Sequence, residues 1–345
     1  MPNEILTRAI DELCDGTNLT ADHTSAALAE IMEGRVEPVQ IGAFLIALRA
    51  KGETDAELVG LARTMRALAA HVEIGDKTLV DTAGTGGGPS TFNVSTTAAL
   101  IAAGAGCFVA KHGNRSATSR SGSADLLEAL GVQIELSPEQ VADCINEVGF
   151  GFMFAPKHHQ ATKEVVPVRK ELAVRTIFNL LGPLTNPAGA KRQLLGVSDR
   201  SFQETIAEAL VSLGCERAMV VSGDDGLDEL SITARTRVIE IADGGTEEWF
   251  VEAEELGLKT ASLDEIGGGE PDENAAVARE IFDGGSGPAR DIAVLNAGAT
   301  IFVAGQAGDL AEGVEKAGEA LASGAVGDVL EKLVARSREL AGAAS

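Results

Sequence analysis

Apolar residues recur at helical spacing through roughly the first seventy positions, as in ILTRAIDEL and IGAFLIALRA, with little of the alternation a strand requires. Thr54 and Asp55 stand where a cap is needed for a further helix, AELVGLARTMRALAAHV. The pattern then changes. KTLVDTAG reads as a strand, runs into a glycine-rich turn and is followed by the helix-like STTAALIAAGAG. CFVAKHG reads as a second short strand, and a polar loop leads from it into the helix SADLLEALG. RQLLGVSD, SFQETIAEALVSLG and RAMVVSG continue the alternation, which predicts an α/β fold around a central, largely parallel sheet flanked by helices. RTRVIEI and EEWFVEAEEL read as an antiparallel pair on the solvent side. The acid- and Gly-rich stretch from Glu252 to Asp283 reads as surface, and the Ala-rich C-terminus from Asp309 to Leu340 as helix.

Length and composition narrow the class. A chain of 345 residues suggests about two domains, or one large α/β domain with a helical appendage. Hydrophobic residues at 45% supply a sizeable core. With 3% aromatic residues and no Tyr, there is no stacking platform for single-stranded nucleic acid, and a net charge of -24 argues against nucleic acid generally. Twenty-eight basic against 52 acidic residues suits a salt-rich cytoplasm, where the charge serves solubility. Cys14, Cys107, Cys144 and Cys215 form no CxxC pair and read as reduced thiols. The N-terminus carries acids and helical periodicity, unlike a signal peptide, and no apolar run reaches membrane-spanning length. A cytoplasmic location is expected, with neither nucleic acid nor membrane as partner.

Against that acidity, two windows stand out. No Asp or Glu occurs from Thr82 to Ala124, nor from Leu172 to Ser198. The first holds GTGGGPSTFNVSTT (Gly84 to Thr97), a glycine turn between strand and helix that brings backbone N–H groups and a helix N-terminus toward a phosphate. Pro89 occupies the third glycine position of GxGxxG, so it is not a dinucleotide fingerprint, and no Gly-Lys-Ser/Thr follows to make a P-loop. KHGNRSATSRSG (Lys111 to Gly122) adds Lys111, Arg115, Arg120 and several hydroxyls suited to phosphate oxygens. Two such loops after consecutive strands emerge at the same sheet edge, and together they predict a phosphate-rich ligand.

Further along, DDGLDELS (Asp224 to Ser231) offers Asp228 and Glu229 as hard oxygen ligands, which Mg²⁺ bridges to substrate phosphates. His158 and His159 lack a zinc spacing, and one of them lining a pocket is the expectation. Arg169 is a candidate for a substrate carboxylate. LLGPLTNP is a rigid turn in the second window.

GTGG…TFNVST, KHGNRSATSRSGSADLLEALG, FAPKHH…PVRKELAVRTIFNLLGPLTNP and DGLDE, in this order, resemble the anthranilate phosphoribosyltransferase family. The resemblance spans most of the chain and is densest from Gly84 to Glu229. It implies a small α-helical N-terminal domain (residues 1–72, rejoined by helices near 165–185) and a larger α/β domain of the nucleoside-phosphorylase type (73–345). It also implies a homodimer through the helical domain, a site in the cleft between domains, and Mg²⁺, two ions per monomer. The implied substrates are 5-phosphoribosyl 1-diphosphate and anthranilate.

By the same resemblance, the sugar diphosphate meets Gly84, Gly87, Gly88, Thr91, Asn93, Val94, Ser95, Thr96, Lys111, His112, Gly113, Asn114, Arg115, Ser116, Ala117, Thr118, Ser119 and Ser123. Anthranilate meets Gly84, Asn114, His159 and Arg169, and Mg²⁺ meets Ser95, Asp228 and Glu229. No general base is assigned. The sequence departs from the family at the glycine loop, usually GTGGDG and one residue longer, where Gly88-Pro89 replaces Asp-Gly. Gln160 and Thr162 also depart from the family pattern after the paired histidines. The rivals are a pyrimidine nucleoside phosphorylase, which would use free phosphate, and a nucleotide-sensing protein without turnover.

Overall fold

The helical pattern of the first seventy residues forms four helices: α1 (Glu4–Cys14), α2 (Ala21–Met32), α3 (Pro38–Lys51) and α4 (Asp55–Ala67). Local chemistry sets their starts. Asn3 caps α1 by accepting from the Leu6 N–H, and Thr54 caps α4 in a capping box with Glu57. Asp55 is the first helical residue and complements the helix dipole. Glu57 is fully buried, and its carboxylate accepts from the Leu19 N–H and pairs with Lys51. That is how a charge is tolerated inside a helical bundle.

From Leu79 onward strands and helices alternate. This computed structural model describes residues 1–116 and 120–343. β1 (Leu79–Gly84), α5 (Val94–Gly104), β2 (Phe108–Gly113), α6 (Ser123–Ala129), α7 (Pro138–Val148) and β3 (Phe150–Phe154) build one half of the sheet. The chain then returns to the helical bundle through α8 (Ala155–His158), α9 (Val166–Leu172) and α10 (Phe178–Leu181). It re-enters the sheet as β4 (Arg192–Gly196), α11 (Gln203–Ser212) and β5 (Arg217–Gly223). β6 (Thr236–Ala242) and β7 (Gly245–Val251) follow, and helices α12 (Pro271–Phe282), α13 (Pro288–Ala304), α14 (Leu310–Ala322) and α15 (Ala325–Ala343) close the fold.

The sheet order is β3-β2-β1-β4-β5-β6-β7, with the first five strands parallel and the last two antiparallel. The antiparallel pair expected on the solvent side therefore extends the central sheet. β6 is mostly buried, while the outer strand β7 keeps Glu247 and Glu248 exposed, charges that blunt an edge.

Two apolar cores lie on opposite faces of the sheet, and the strands alternate between them. Leu194, Met219 and Val221 face the core shared with α5 and α13, whereas Leu195, Ala218 and Val220 face the one shared with α11 and the helical bundle. α5 reads VSTTAALIAAG, has no charge and is buried along most of its length, as expected of a helix packed on nearly every side.

The strand order reverses between β1 and β4. This is the crevice where open parallel sheets bind ligands, and the loops after β1, β2, β4 and β5 all open toward it.

Candidate active site

Gly84 ends β1, and a Cβ there would lie 2.2 Å from Asp228 Oδ2, so only glycine lets the carboxylate approach. The loop that follows is held from several directions. The Gly86 N–H donates to Asp228 Oδ2 at 2.7 Å, and the Gly86 carbonyl accepts from Arg175 Nη1 at 2.8 Å and from Ser198 Oγ at 2.7 Å. Gly87 has φ +92°, and any side chain there would collide with Arg175. Gly88 packs against the Gly226 carbonyl. A cleft of about 520 Å³ is lined by Gly87, Gly88, Arg175, Ser198, Arg200 and Gly226. The loop ends at Thr91, Phe92 and Asn93, and α5 begins at Val94 with Ser95 and Thr96 in its first turn.

Asp228 and Glu229 are adjacent, partly buried carboxylates. Burial raises both above their ordinary range, and Asp228 adds to the rise at Glu229. The Thr91 hydroxyl bonds Glu229 and Lys111 lies near it, yet Glu229 Oε2 is buried without a hydrogen-bond partner among the described residues. Two adjacent, partly buried carboxylates with an orphaned oxygen are a donor set that wants a cation, and the pair suits Mg²⁺ shared with substrate phosphates. Ser95 Oγ is bound at 3.4 Å by Lys111 Nζ, which ties the third expected ligand to the same corner.

Lys111 differs from the free cation its loop suggested. It lies on β2 at 1% exposure, donating to the Thr82 carbonyl at 2.6 Å and to Thr82 Oγ1 at 3.0 Å. Burial lowers its pKa to about 8, opposed by Asp81 and Glu229. Asp81 in turn accepts from the His112 N–H at 3.1 Å and from Asn186 Nδ2 at 2.7 Å. Asn186 belongs to LLGPLTNP, so the second acid-free window reaches under the first.

Beyond Gly113 the second loop is held by its own helix. Asp125 accepts from the Gly122 N–H at 2.8 Å and the Ser116 N–H at 3.2 Å. Arg115 pairs with Asp125 at 2.9 Å and with Glu128 at 3.0 Å, so these carboxylates, just past the acid-free window, spend much of its charge. Asn114 is exposed, its Oδ1 accepting from the Arg115 N–H, and Ser123 opens α6. Ala117, Thr118 and Ser119 lie outside the described residues.

A second cluster of polar side chains forms where the loop after β3 meets the 165–187 segment. His112 and His159 stand edge to face with centroids 5.0 Å apart. His112 Nδ1 donates to the Gly182 carbonyl at 3.2 Å, which leaves Nε2 as an acceptor, and Nε2 is buried without a partner, as is that of His159. Burial lowers His112 to about 3 and His159 to about 4, so both are neutral at pH 7. His158 turns away and bonds the Ala70 carbonyl. Arg169 is half-buried, over the Phe178 ring at 5.4 Å and 3.5 Å from Asn179 Oδ1, and no carboxylate pairs with it among the described residues. A desolvated guanidinium without a carboxylate is suited to receive one.

Three contributors carried no assigned role in the sequence reading. Arg175 and Asn186 sat inside motifs already singled out, so their setting was visible but their contacts were not. Asp81, the last acid before the first window, gave only its burial in a strand as a signal.

Residues 76–326 match the glycosyl transferase family, a/b domain, and residues 7–69 match its helical bundle domain. The chain is 52% identical to the anthranilate phosphoribosyltransferase of Rubrobacter xylanophilus, over 98% of this chain and 99% of the relative. Anthranilate phosphoribosyltransferase from Thermus thermophilus has the same fold, with a TM-score of 0.90 and 46% identity over 96% of this chain and 99% of that one. The Saccharomyces cerevisiae enzyme in complex with PRPP and Mg gives 0.89 at 27% identity, over 97% of this chain and 98% of that one. The same yeast enzyme is also known in complex with 4-fluoroanthranilate, with a TM-score of 0.87, 26% identity and the same coverage. The chain belongs to the anthranilate phosphoribosyltransferase family.

Proposed function

We propose that the chain transfers the phosphoribosyl group of 5-phosphoribosyl 1-diphosphate to the amine of anthranilate, giving N-(5-phosphoribosyl)anthranilate and diphosphate in tryptophan biosynthesis. One observation carries the reading. Two backbone-rich loops and a partly buried carboxylate pair with an orphaned oxygen meet at one sheet edge, and Arg169, desolvated on α9, pairs with no carboxylate among the described residues. Family membership and the PRPP, Mg and 4-fluoroanthranilate bound by the yeast relative support it.

In this reading the loop amides and the first turn of α5, Asn93 to Thr96, bind phosphate oxygens, aided by the helix dipole. Ser95, Asp228 and Glu229 hold two Mg²⁺ ions together with substrate oxygens. Bound Mg²⁺ neutralises charge on the departing diphosphate. Arg169 orients the anthranilate carboxylate, and His159 and His112 offer neutral Nε2 acceptors beside it. An aromatic amine is already a neutral nucleophile, so alignment with C1′ supplies much of the rate and no strong base is required.

The division into a helical unit (1–72, with 165–185) and an α/β unit (73–345) gives the cleft its two walls. The helical unit also carries the expected dimer surface. Ile5 on α1, Val39 (78% exposed) and Ile46 on α3, and Val166 and Val174 on and after α9 are exposed apolar residues on helices that pack together. Free cysteines agree with a cytoplasmic setting, and no helix among the described residues is long and apolar enough to cross a membrane.

The test is direct. Anthranilate fluorescence should fall when the sugar diphosphate and Mg²⁺ are both present, and not with free phosphate plus a nucleoside. Turnover only in the second mixture would assign the chain to the phosphorylase chemistry.

A further inference from the structure

Asn93 stands at the N-cap of α5, where an Asn side chain ordinarily accepts from a first-turn N–H, as Asn3 does for α1. At α5 it makes no such bond. Its carboxamide is held elsewhere. Oδ1 accepts from Asn274 Nδ2 at 2.8 Å and from Ser121 Oγ at 2.9 Å, and Nδ2 donates to the Ser121 carbonyl at 3.1 Å. Asn274 lies on α12 at 2% exposure, and its Oδ1 accepts from the Gly269 N–H at 2.8 Å. The surrounding GGGEPDEN segment is fastened to the glycine loop as well. Phe92 N–H donates to the Ile266 carbonyl at 3.1 Å, Thr91 and Gly267 form a β-bridge, and Gly268 packs on the Thr91 carbonyl.

We infer that Asn274 is a positioning residue for the sugar-diphosphate site. By holding Asn93 Oδ1, it withholds that carboxamide from the helix and leaves the Ser95 and Thr96 N–H groups, which have no intrahelical partner by position, for a phosphate oxygen. Through Asn93 and Ser121 it also locks the end of the glycine loop to the end of the second loop. Without Asn274, Asn93 keeps only its bonds to Ser121 and can turn to cap α5 in competition with the ligand. The role rests on the reading that this helix end receives the diphosphate.

The test compares the full-length chain with Asn274→Asp, which keeps the acceptor for Gly269 but removes the donor to Asn93. Asn274→Leu, neutral and similar in size, separates the lost hydrogen bond from the added charge. Both variants should raise the KM for the sugar diphosphate about tenfold and weaken inorganic diphosphate binding in Mg²⁺ by a similar factor. The KM for anthranilate should stay within about twofold in both.

In an Asn93→Ala background no side chain remains to cap α5, so adding the neutral Asn274→Leu should cost nothing further. Equal rises in both KM values, full additivity in the double variant, or a lower Tm with unchanged diphosphate affinity would each overturn the assignment. Should both Asn274 variants fail to fold, Ser121→Ala must still shift diphosphate affinity in the same direction, and no shift would be decisive against it. If the unaltered chain turns over no anthranilate, the reading of the reaction fails, while the diphosphate measurements still decide the role of Asn274.

Discussion

The two phosphate loops leave neighbouring parallel strands at one sheet edge, yet they are anchored in opposite ways. The glycine loop is held by Arg175, 89 residues away, and by Asp228, 142 residues away. The second loop is held by Asp125 and Glu128, 3 to 13 residues from the groups they bind. Apart from the Ser121–Asn93 bonds, the second loop is thus built together with its own helix. The first acquires its shape only when the rest of the molecule is assembled. Arg175 adds a mechanical consequence, since its carbonyl accepts from Arg49 on α3 at 2.8 Å. A shift of the helical unit is therefore felt directly at the glycine loop and only weakly at the second.

Breaking the distant anchor at its carboxylates should have the largest effect. Glu229→Gln should cut turnover at least about 100-fold and raise the Mg²⁺ requirement, given what metal-site partners are worth. Because burial and Asp228 already disfavour the Glu229 charge, the metal-free variant should melt no lower than the unaltered chain. A Mg²⁺ titration beside a thermal melt reads both, and a collapse in Tm would reassign Glu229 to the fold.

Arg169→Ala touches neither loop and serves as the reference for an acceptor-side effect. A lost charge-assisted bond of about 1.5–3 kcal/mol should raise the anthranilate KM roughly ten- to 100-fold, with little change for the sugar diphosphate. Parallel rises in both would move Arg169 from the acceptor pocket to the structure of the cleft.

The sharpest comparison is between two arginines. Arg175→Ala should raise the KM for the sugar diphosphate about tenfold, because it leaves the Gly86 carbonyl only its Ser198 bond and loosens the glycine loop. Arg115→Ala should change it within about threefold, because exposed ion pairs with Asp125 and Glu128 contribute little. Steady-state kinetics of the two variants side by side decide the point. An Arg115 effect equal to that of Arg175 would mean that Arg115 leaves its carboxylates to grip the substrate.

The smallest effect concerns stability and leaves turnover at neutral pH alone. His112 and His159 have folded pKa values of about 3 and about 4, below the ordinary 6.5. The unfolded chain therefore binds more protons between these limits, so their contribution is complete above pH 6.5 and is lost as pH falls toward 4 and then 3. Each imidazole should cost about 1 kcal/mol per pH unit through that window. Denaturant melts at stepped pH should show the decline, with His112→Gln flattening it. An unchanged slope would mean His112 is charged in the folded chain.

Much of this was legible without coordinates. Period and caps marked the helices of the first seventy residues, and alternating strand and helix signals announced a parallel sheet. The acid-free windows drew attention to both loops, because a missing charge is a property of the chain itself. The resemblance carried by KHGNRS and RTIFNLLGPLTNP named the family. Where the reading fell short, spatial neighbours were the cause. The hairpin of β6 and β7 was placed on the solvent side because its charges were visible and its pairing with β5 was not. The stretch from Glu252 to Asp283 looked like plain surface because its acids outnumber the buried residues that matter. Asn274 is one unremarkable polar residue in that run, and nothing local distinguishes it from an exposed one.

By itself the sequence determined the local events: which segments form helices and strands, where glycine is needed, and which stretches carry no like charge to repel an anion. Each depends on residues a few positions apart, so the order along the chain contains the answer. Only the tertiary structure decided which charges are free. It put Lys111 beneath the glycine loop at 1% exposure, paired Arg115 with carboxylates from α6, left Arg169 without one among the described residues, and drew Asn274 to Asn93 across 181 positions. Electrostatics and hydrogen bonding depend on distance and solvent access, and neither can be read from the chain until folding has brought remote residues within reach.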